Sequence, residues 1–187
     1  MKIKSIIFLL LLVSHTLSSV EFLSELRGGY FYPNSEKFRK IYNNGGPEVE
    51  LEFSGTFCES WTVWGNVNYF QRDGDSIGLF DRTNIRMIPL SLGAKYQFEI
   101  DYCISPYIGA GVTYTYTQIH NHSDFVKKHV NKNGVGGVVK SGIYIPMTRI
   151  FTLDIFLDWY YQQLTFSSHH KANVGGFRAG IGVASPF

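Results

Sequence analysis

Apolar and polar positions alternate along most of the chain. The cleanest stretch is Glu48 to Phe57, where Val49, Leu51, Phe53, Gly55 and Phe57 share one face and Glu48, Glu50, Glu52, Ser54 and Thr56 the other. A period of two defines a β-strand whose faces meet different surroundings. The same pattern predicts strands over Leu26–Tyr32, Trp61–Phe70, Asn84–Phe98, Pro106–Thr117, Val135–Ile145 and Ile150–Leu164. A last one runs from Phe177 to Phe187, with Phe177, Ala179, Ile181 and Val183 opposed to Arg178, Gly180, Gly182 and Ala184. In each strand one face is apolar and the other small, polar or charged. Pro89 cannot donate to a ladder, so a bulge or local distortion is expected there.

The connections sort by length. Long polar segments, 33–46, 71–82 and 118–133, and one of intermediate length, 165–173, alternate with short ones, 58–60, 99–105 and 146–149. A soluble sandwich has no reason to sort its loops by end, whereas a membrane barrel has short turns at one rim and long loops at the other. Each strand has about ten residues or more, the length a tilted strand needs to cross a bilayer. The predicted fold is all-β, an eight-stranded antiparallel up-and-down transmembrane β-barrel. A soluble, lipocalin-like barrel would turn the large apolar faces inward and wet the charged ones, which the distribution of bulky residues disfavours.

Lys2 and Lys4 precede an apolar run, Ser5 to Val13, and the small polar residues Ser14 to Ser19. The run is too short to span a bilayer as a helix and reads as a signal peptide over residues 1–18, with cleavage after Ser18; the barrel domain is then 19–187. Beyond it no long apolar run occurs, which excludes a helical membrane protein and leaves a barrel open, since alternating strands average out on hydropathy scales. The formal charge is +2. Without Lys2 and Lys4 the chain is near neutral, so net charge points to no nucleic-acid role. Aromatic residues make up 16% of the chain and glycines number 19, a bias that aromatic girdles and curved strands both predict.

Two stretches carry a family resemblance: Pro106-Tyr107-Ile108-Gly109-Ala110-Gly111-Val112 and the ending Gly180-Ile181-Gly182-Val183-Ala184-Ser185-Pro186-Phe187. With the strand and loop pattern, they make the chain resemble the small eight-stranded bacterial outer-membrane barrels, the OmpA/OmpX-like group. The resemblance implies contact with outer-membrane lipid and lipopolysaccharide, extracellular loops and periplasmic termini. It also implies that the last strand, closed by Phe187, is read by the barrel-insertion machinery. Pro186 departs from the usual ending, and a periplasmic domain, which OmpA-type proteins often carry, is not expected after the barrel.

The lumen-facing parity gathers Arg27, Glu50, Glu52, Lys95, Lys140, Asp154, Asp158 and Arg178. These charges suit either a selective, gated pore or a salt-bridged plug. Eight strands leave an interior just wide enough for side chains, and Trp64, Tyr144 and Phe156 fill it further, which favours the plug. If each connection is centred midway between its strands, Arg27 faces Glu52, Lys140 lies diagonal to Asp154, and Asp158 lies diagonal to Arg178. His120, His122, His129, His169 and His170 fall in the third and fourth long loops. They suit a metal or pH site at the rim, or simply solvated loops, and no Cys or carboxylate pair completes a ligand set. Lys37, Arg39, Lys40, Lys127, Lys128 and Lys132 offer a basic rim for lipopolysaccharide phosphates or a host-surface polyanion.

The main expectation is therefore a structural and surface-interaction protein, through adhesion or polyanion contact. A small pore or transporter is the alternative. A lipid A-modifying hydrolase needs a nucleophile, base and acid; Ser168 with His170 is the one sensible pair, and no acid follows in the last strand. No cofactor is implied. Cys58 and Cys103 lie in short turns at one rim and can form a disulfide if their Cα atoms come within range.

Overall fold

A computed structural model describes residues 21–57, 60–76, 81–98, 100, 103–122, 128–167 and 170–187, with 165–167 and 170–172 described in backbone alone. The elements are β1 (Glu21–Pro33), α1 (Glu36–Ile41), β2 (Gly46–Phe57), β3 (Trp61–Asp75), β4 (Arg82–Gln97), β5 (Ser105–Asn121), β6 (His129–Pro146), β7 (Thr152–Ser167), β8 (His170–Asn173) and β9 (Gly176–Pro186). Each strand from β1 to β7 pairs antiparallel with the next, and β9 joins β7 to β1, closing an eight-stranded barrel. The short β8 keeps the register of β9 against β7, so the two are one barrel strand interrupted at Val174 and Gly175.

The faces follow the predicted alternation. Leu26, Leu92, Val112, Leu157 and Ile181 are exposed on the outer wall, while Arg27, Glu50, Lys140, Asp158 and Arg178 are buried inside. An exterior this apolar is the surface that lipid covers. Aromatic rings border it at both ends. Phe22, Phe53, Trp61, Phe98 and Phe187 lie toward the short turns; Tyr30, Tyr32, Tyr69, Tyr114, Trp159 and Phe177 lie toward the opposite rim. Trp61, Tyr96 and Phe98 form a contiguous row, and Phe187 sits between Phe22 and Phe53.

Three expectations change. First, the flanks of the polar stretches read as long loops are strand: β3 runs on to Asp75, β5 to Asn121, and β6 begins at His129. Above the lipid both faces of a hairpin meet water, so the ladder continues after the apolar alternation has stopped, and alternation alone ends each strand too early. Second, of the bulge or local distortion expected at Pro89, it is the distortion that occurs, without a bulge. The β3–β4 register is the same on both sides of it; only the pairs at Asn68 and Tyr69 drop out, while Pro89 stays aligned with Thr115 on β5. The missing donor thins one ladder without shifting it. Third, the first long connection contains a helix. Ser35 caps α1, Glu36 pairs with Lys40 one turn on at 2.8 Å, and Phe38 and Tyr42 share the face turned to the barrel. The helix ends in Asn43, Asn44 and Gly45, all at positive φ. At Gly45 (φ 101°) a Cβ would stand 2.0 Å from the Phe31 carbonyl oxygen, so only glycine lets the chain return to the wall there.

Candidate functional site

The lumen is filled by a connected set of ion pairs. Arg27 reaches Glu50, Asp154 and Asp158, each at 3.0 Å, and donates to the Tyr107 hydroxyl at 2.8 Å. Lys95 meets Glu52 at 2.7 Å and donates to the Tyr144 hydroxyl at 2.6 Å. Lys140 bridges Glu50, at 2.5 Å, and Glu52. Arg178 contacts Glu48 at 3.0 Å, Glu50 at 2.7 Å and Asp158 at 2.8 Å, and donates to Asn68. All eight charged residues singled out from the pattern are at most 3% exposed. Two further carboxylates join them. Glu25 pairs with Arg27 and accepts from the Tyr144 hydroxyl, and Glu48 pairs with Arg178.

Aromatic faces complete the packing. Arg27 lies 3.8 Å above the Phe156 ring, Arg178 4.0 Å above Tyr160, Lys140 4.5 Å above Trp64 and Lys95 5.0 Å above Tyr144. Each cation thus has carboxylates on one side and a ring face on another, the arrangement a dry charge needs. The space is tight: a Cβ on Gly182 would stand 2.7 Å from Glu25 Oε1 and 2.9 Å from Arg27 Cγ. Glycine on the inward parity of β9 is what admits the network.

The pairings differ in detail from those inferred by centring the connections. Arg27 lies opposite Glu50, and Glu52 lies opposite Glu25. The first connection is asymmetric because α1 takes up its early part, which moves the register by two residues. Lys140 turns across the lumen to Glu50 and Glu52 rather than to Asp154. Asp158 and Arg178 are directly opposite rather than diagonal. The β6–β7 ladder opens beside Lys140, where the Ser141 N–H turns to the Asp158 carboxylate and its hydroxyl donates to Leu157 O.

Above the ion pairs, α1 closes the lumen at its long-loop end. Phe38 and Tyr42 pack with Phe31, Phe70, Ile85, Met87, Leu164 and Val174. Phe31 and Phe70 meet edge to face at 5.2 Å, and Phe38 and Tyr42 lie 4.8 Å apart. Beneath this lid a cavity of about 30 Å³ lies between Phe31, Phe70, Tyr160 and Arg178, comparable to one water's share of liquid volume.

The rim residues divide. Lys37 and Lys40 are exposed on α1, and the hydrogen bond from Lys40, then its charge, hold the Glu36 carboxyl below its ordinary value. Arg39 is committed to the chain, donating to Pro33 O and Asn34 O and lying over Tyr32. Lys127 lies outside the described residues, while Lys128 and Lys132 make contacts within the protein. His120, His122 and His129 come together. The Nδ1 atoms of His120 and His129 are 2.9 Å apart, and the His120 ring lies 4.7 Å from that of His122. Partial loss of water, then the neighbouring His129, lowers the His120 pKa. His169 and Ser168 lie outside the described residues, as does the side chain of His170, so the candidate Ser168–His170 pair falls outside them too. So does Cys58; Cys103 is exposed in the β4–β5 connection and makes no disulfide among the described residues. Residues 1–20, with the expected signal peptide, are likewise not described. Among the described residues, no three His, Cys, Asp or Glu side chains stand ready around one metal position.

A closed eight-stranded barrel with an apolar exterior, two aromatic borders and an ion-paired interior is a small outer-membrane β-barrel in fold. Solved structures bear this out. The Neisserial surface protein A is similar at 14% identity over 91% of this chain and 98% of its own, with a TM-score of 0.59. Outer membrane protein W of E. coli has 14% identity, coverage of 89% and 97%, and a TM-score of 0.59. Ail, the attachment invasion locus protein of Yersinia pestis, solved in complex with the heparin analogue sucrose octasulfate, has 14% identity, coverage of 88% and 97%, and a TM-score of 0.52. No protein-family profile and no curated protein matches the chain.

Proposed function

We propose that this protein is a plugged outer-membrane barrel that works through its external surface, contacting polyanions, lipopolysaccharide phosphates or sulfated host-surface glycans, with the α1 rim as the contact. The carrying observation is the filled lumen, with ten buried charged side chains, four basic and six acidic, joined by ion pairs and an aromatic lid above them. This filling supports a lumen closed to transported solutes, which leaves the rim as the surface for function. The exposed Lys37 and Lys40 on one helix face supply the charge, and Ail, similar in fold, binds a heparin analogue. The long-loop end faces outward, the termini lie in the periplasm, and the strand ending at Phe187 engages the insertion machinery.

The test is retention of the folded, detergent-solubilised protein on immobilised heparin at low salt. Lys37→Glu/Lys40→Glu should elute at lower salt than wild type, because each neutralised contact contributes to the salt dependence. No retention of the wild type at low ionic strength refutes the polyanion reading. Large, steady, porin-like conductance in planar bilayers refutes the plug and favours a pore.

A further inference from the structure

The histidine trio lies on the outer wall rather than in the lumen. On β5 the inward parity is Thr113, Thr115 and Thr117, all buried, so Gln118 and His120 face outward. The ladder aligns one polar row across four strands: Asp73 on β3, Asn84 on β4, His120 on β5 and His129 on β6. The next row toward the membrane is Gln71, Arg86, Gln118 and Asn131. Below it come Tyr69 and Tyr116, whose hydroxyl groups hydrogen-bond to Gln71 and Gln118. Tyrosines at that level mark the water interface of a barrel. The histidines therefore stand two rows above it, at headgroup height and in contact with water.

We propose that His120, His122 and His129 form a binding site for a divalent transition metal, zinc or copper, on the outer wall of the barrel. Three features support this. His120 and His129 are directly paired in the β5–β6 ladder, so the backbone fixes two ligands side by side. That pairing is held on both sides: the Asn121 N–H donates to Lys128 O at 2.8 Å and the His122 N–H to Arg82 O at 3.0 Å. The two Nδ1 atoms already face one another at 2.9 Å. Two tetrahedral zinc–nitrogen bonds of about 2.0–2.1 Å need nitrogens roughly 3.3 Å apart. The rings have only to part by a few tenths of an ångström, with an ion replacing the proton shared between them. His122, two residues on from His120, has its ring 4.7 Å from that of His120; as no three such side chains among the described residues stand around one metal position, it becomes the third ligand by turning its side chain toward the His120–His129 pair.

The surroundings suit an open metal site. The trio borders a cavity of about 540 Å³ with Asp73, Asn84 and Arg86. The Asp73 carboxylate, held by Asn84 at 2.7 Å, adds negative charge nearby. Three nitrogen ligands leave a fourth position for water or an external donor. Imidazole suits zinc and copper, whereas calcium and magnesium need an oxygen cage that this row does not provide.

The experiment uses the folded full barrel in detergent, its fold checked for every variant by mobility of the unboiled protein on a gel. Zn²⁺ is titrated calorimetrically, and Cu²⁺ binding is followed by electron paramagnetic resonance. One metal per chain and nitrogen splitting from at least two imidazoles are expected. His120→Ala and His129→Ala should each raise the dissociation constant by about tenfold or more, equivalent to about 1.4 kcal/mol. The double variant His169→Ala/His170→Ala should bind like wild type. The proposal is overturned if folded wild type takes up neither metal. It is also overturned if binding survives both His120→Ala and His129→Ala, or is lost in the His169→Ala/His170→Ala variant instead.

Discussion

Arg178→Ala tests whether the lumen is a dry network or a hydrated one. The guanidinium is 2% exposed and serves Glu48, Glu50, Asp158 and Asn68. Truncation strands these partners unequally. Glu50 keeps Arg27 and Lys140, and Asp158 keeps Arg27. Glu48 is left with no other cation in ion-pair contact among the described residues. A buried charge that loses its partner costs about 3–5 kcal/mol, against about 0–1 for an exposed pair. The single change should therefore lower stability by about 3–5 kcal/mol. Adding Glu48→Gln removes the stranded charge, so the double variant should lose less than the two single losses added together, with a coupling of about 0.5–3 kcal/mol. The coupling with Asp158→Ala should be weaker, because Asp158 retains a partner and its removal takes one from Arg27. Urea titration in detergent micelles, read by mobility of unboiled protein and by tryptophan fluorescence, gives all the values. A loss below about 1 kcal/mol, or strict additivity with Glu48→Gln, would refute the dry network.

Two further outcomes are expected. Single cysteines at Asn44, Asp73, Asn131 and Ser168 should react with an impermeant thiol reagent on intact cells; protection of all four reverses the orientation. Gly45→Ala places a methyl 2.0 Å from Phe31 O at a φ of 101°, so it should displace α1 and cost about 1–3 kcal/mol. Faster amide exchange over 36–42 is the readout, and wild-type protection there would show that the lid tolerates the change.

The barrel wall was legible because lipid outside and side chains inside impose a period of two on every crossing. Arg27, Lys140, Asp154 and Arg178 could be placed in the lumen from parity alone, since a one-residue error would put them in lipid. Their partners could not. Parity fixes a face, whereas pairing depends on register, and α1 shifts the β1–β2 register by residues the alternation does not count. Glu25 was missed because Glu21 to Glu25 precedes the stretch with clear alternation, although it pairs with β2 throughout. The helix had a local signal in Ser35, Glu36 and Lys40 with Phe38 and Tyr42 four apart, hidden inside a segment read as loop. The histidine cluster was hidden for the opposite reason. His120 and His129 are separated by a hairpin in sequence, and only the ladder continuing above the membrane makes them neighbours.

The interior also explains how such a chain can stay soluble and still close in one way. A strand apolar on both faces would be a continuous apolar run, poorly tolerated in water before insertion. Charged or polar residues on the inward parity break the runs, and the charges must find partners when the barrel dries. The pairs that do this join elements far apart in sequence: Arg27 of β1 with Asp154 and Asp158 of β7, and Arg178 of β9 with Glu48 and Glu50 of β2. None of them exists until the first and last strands meet. A slip of one residue at that seam would carry Arg178 into lipid and leave Glu48 and Asp158 facing each other's charge. A slip of two at that seam would set Arg178 against Gly29 or Pro33 on β1 instead of Phe31, and shift it along the wall from Glu48 and Glu50. The same ion pairs that fill the lumen therefore specify the register at which the wall closes, which is reason enough for so many charges inside it.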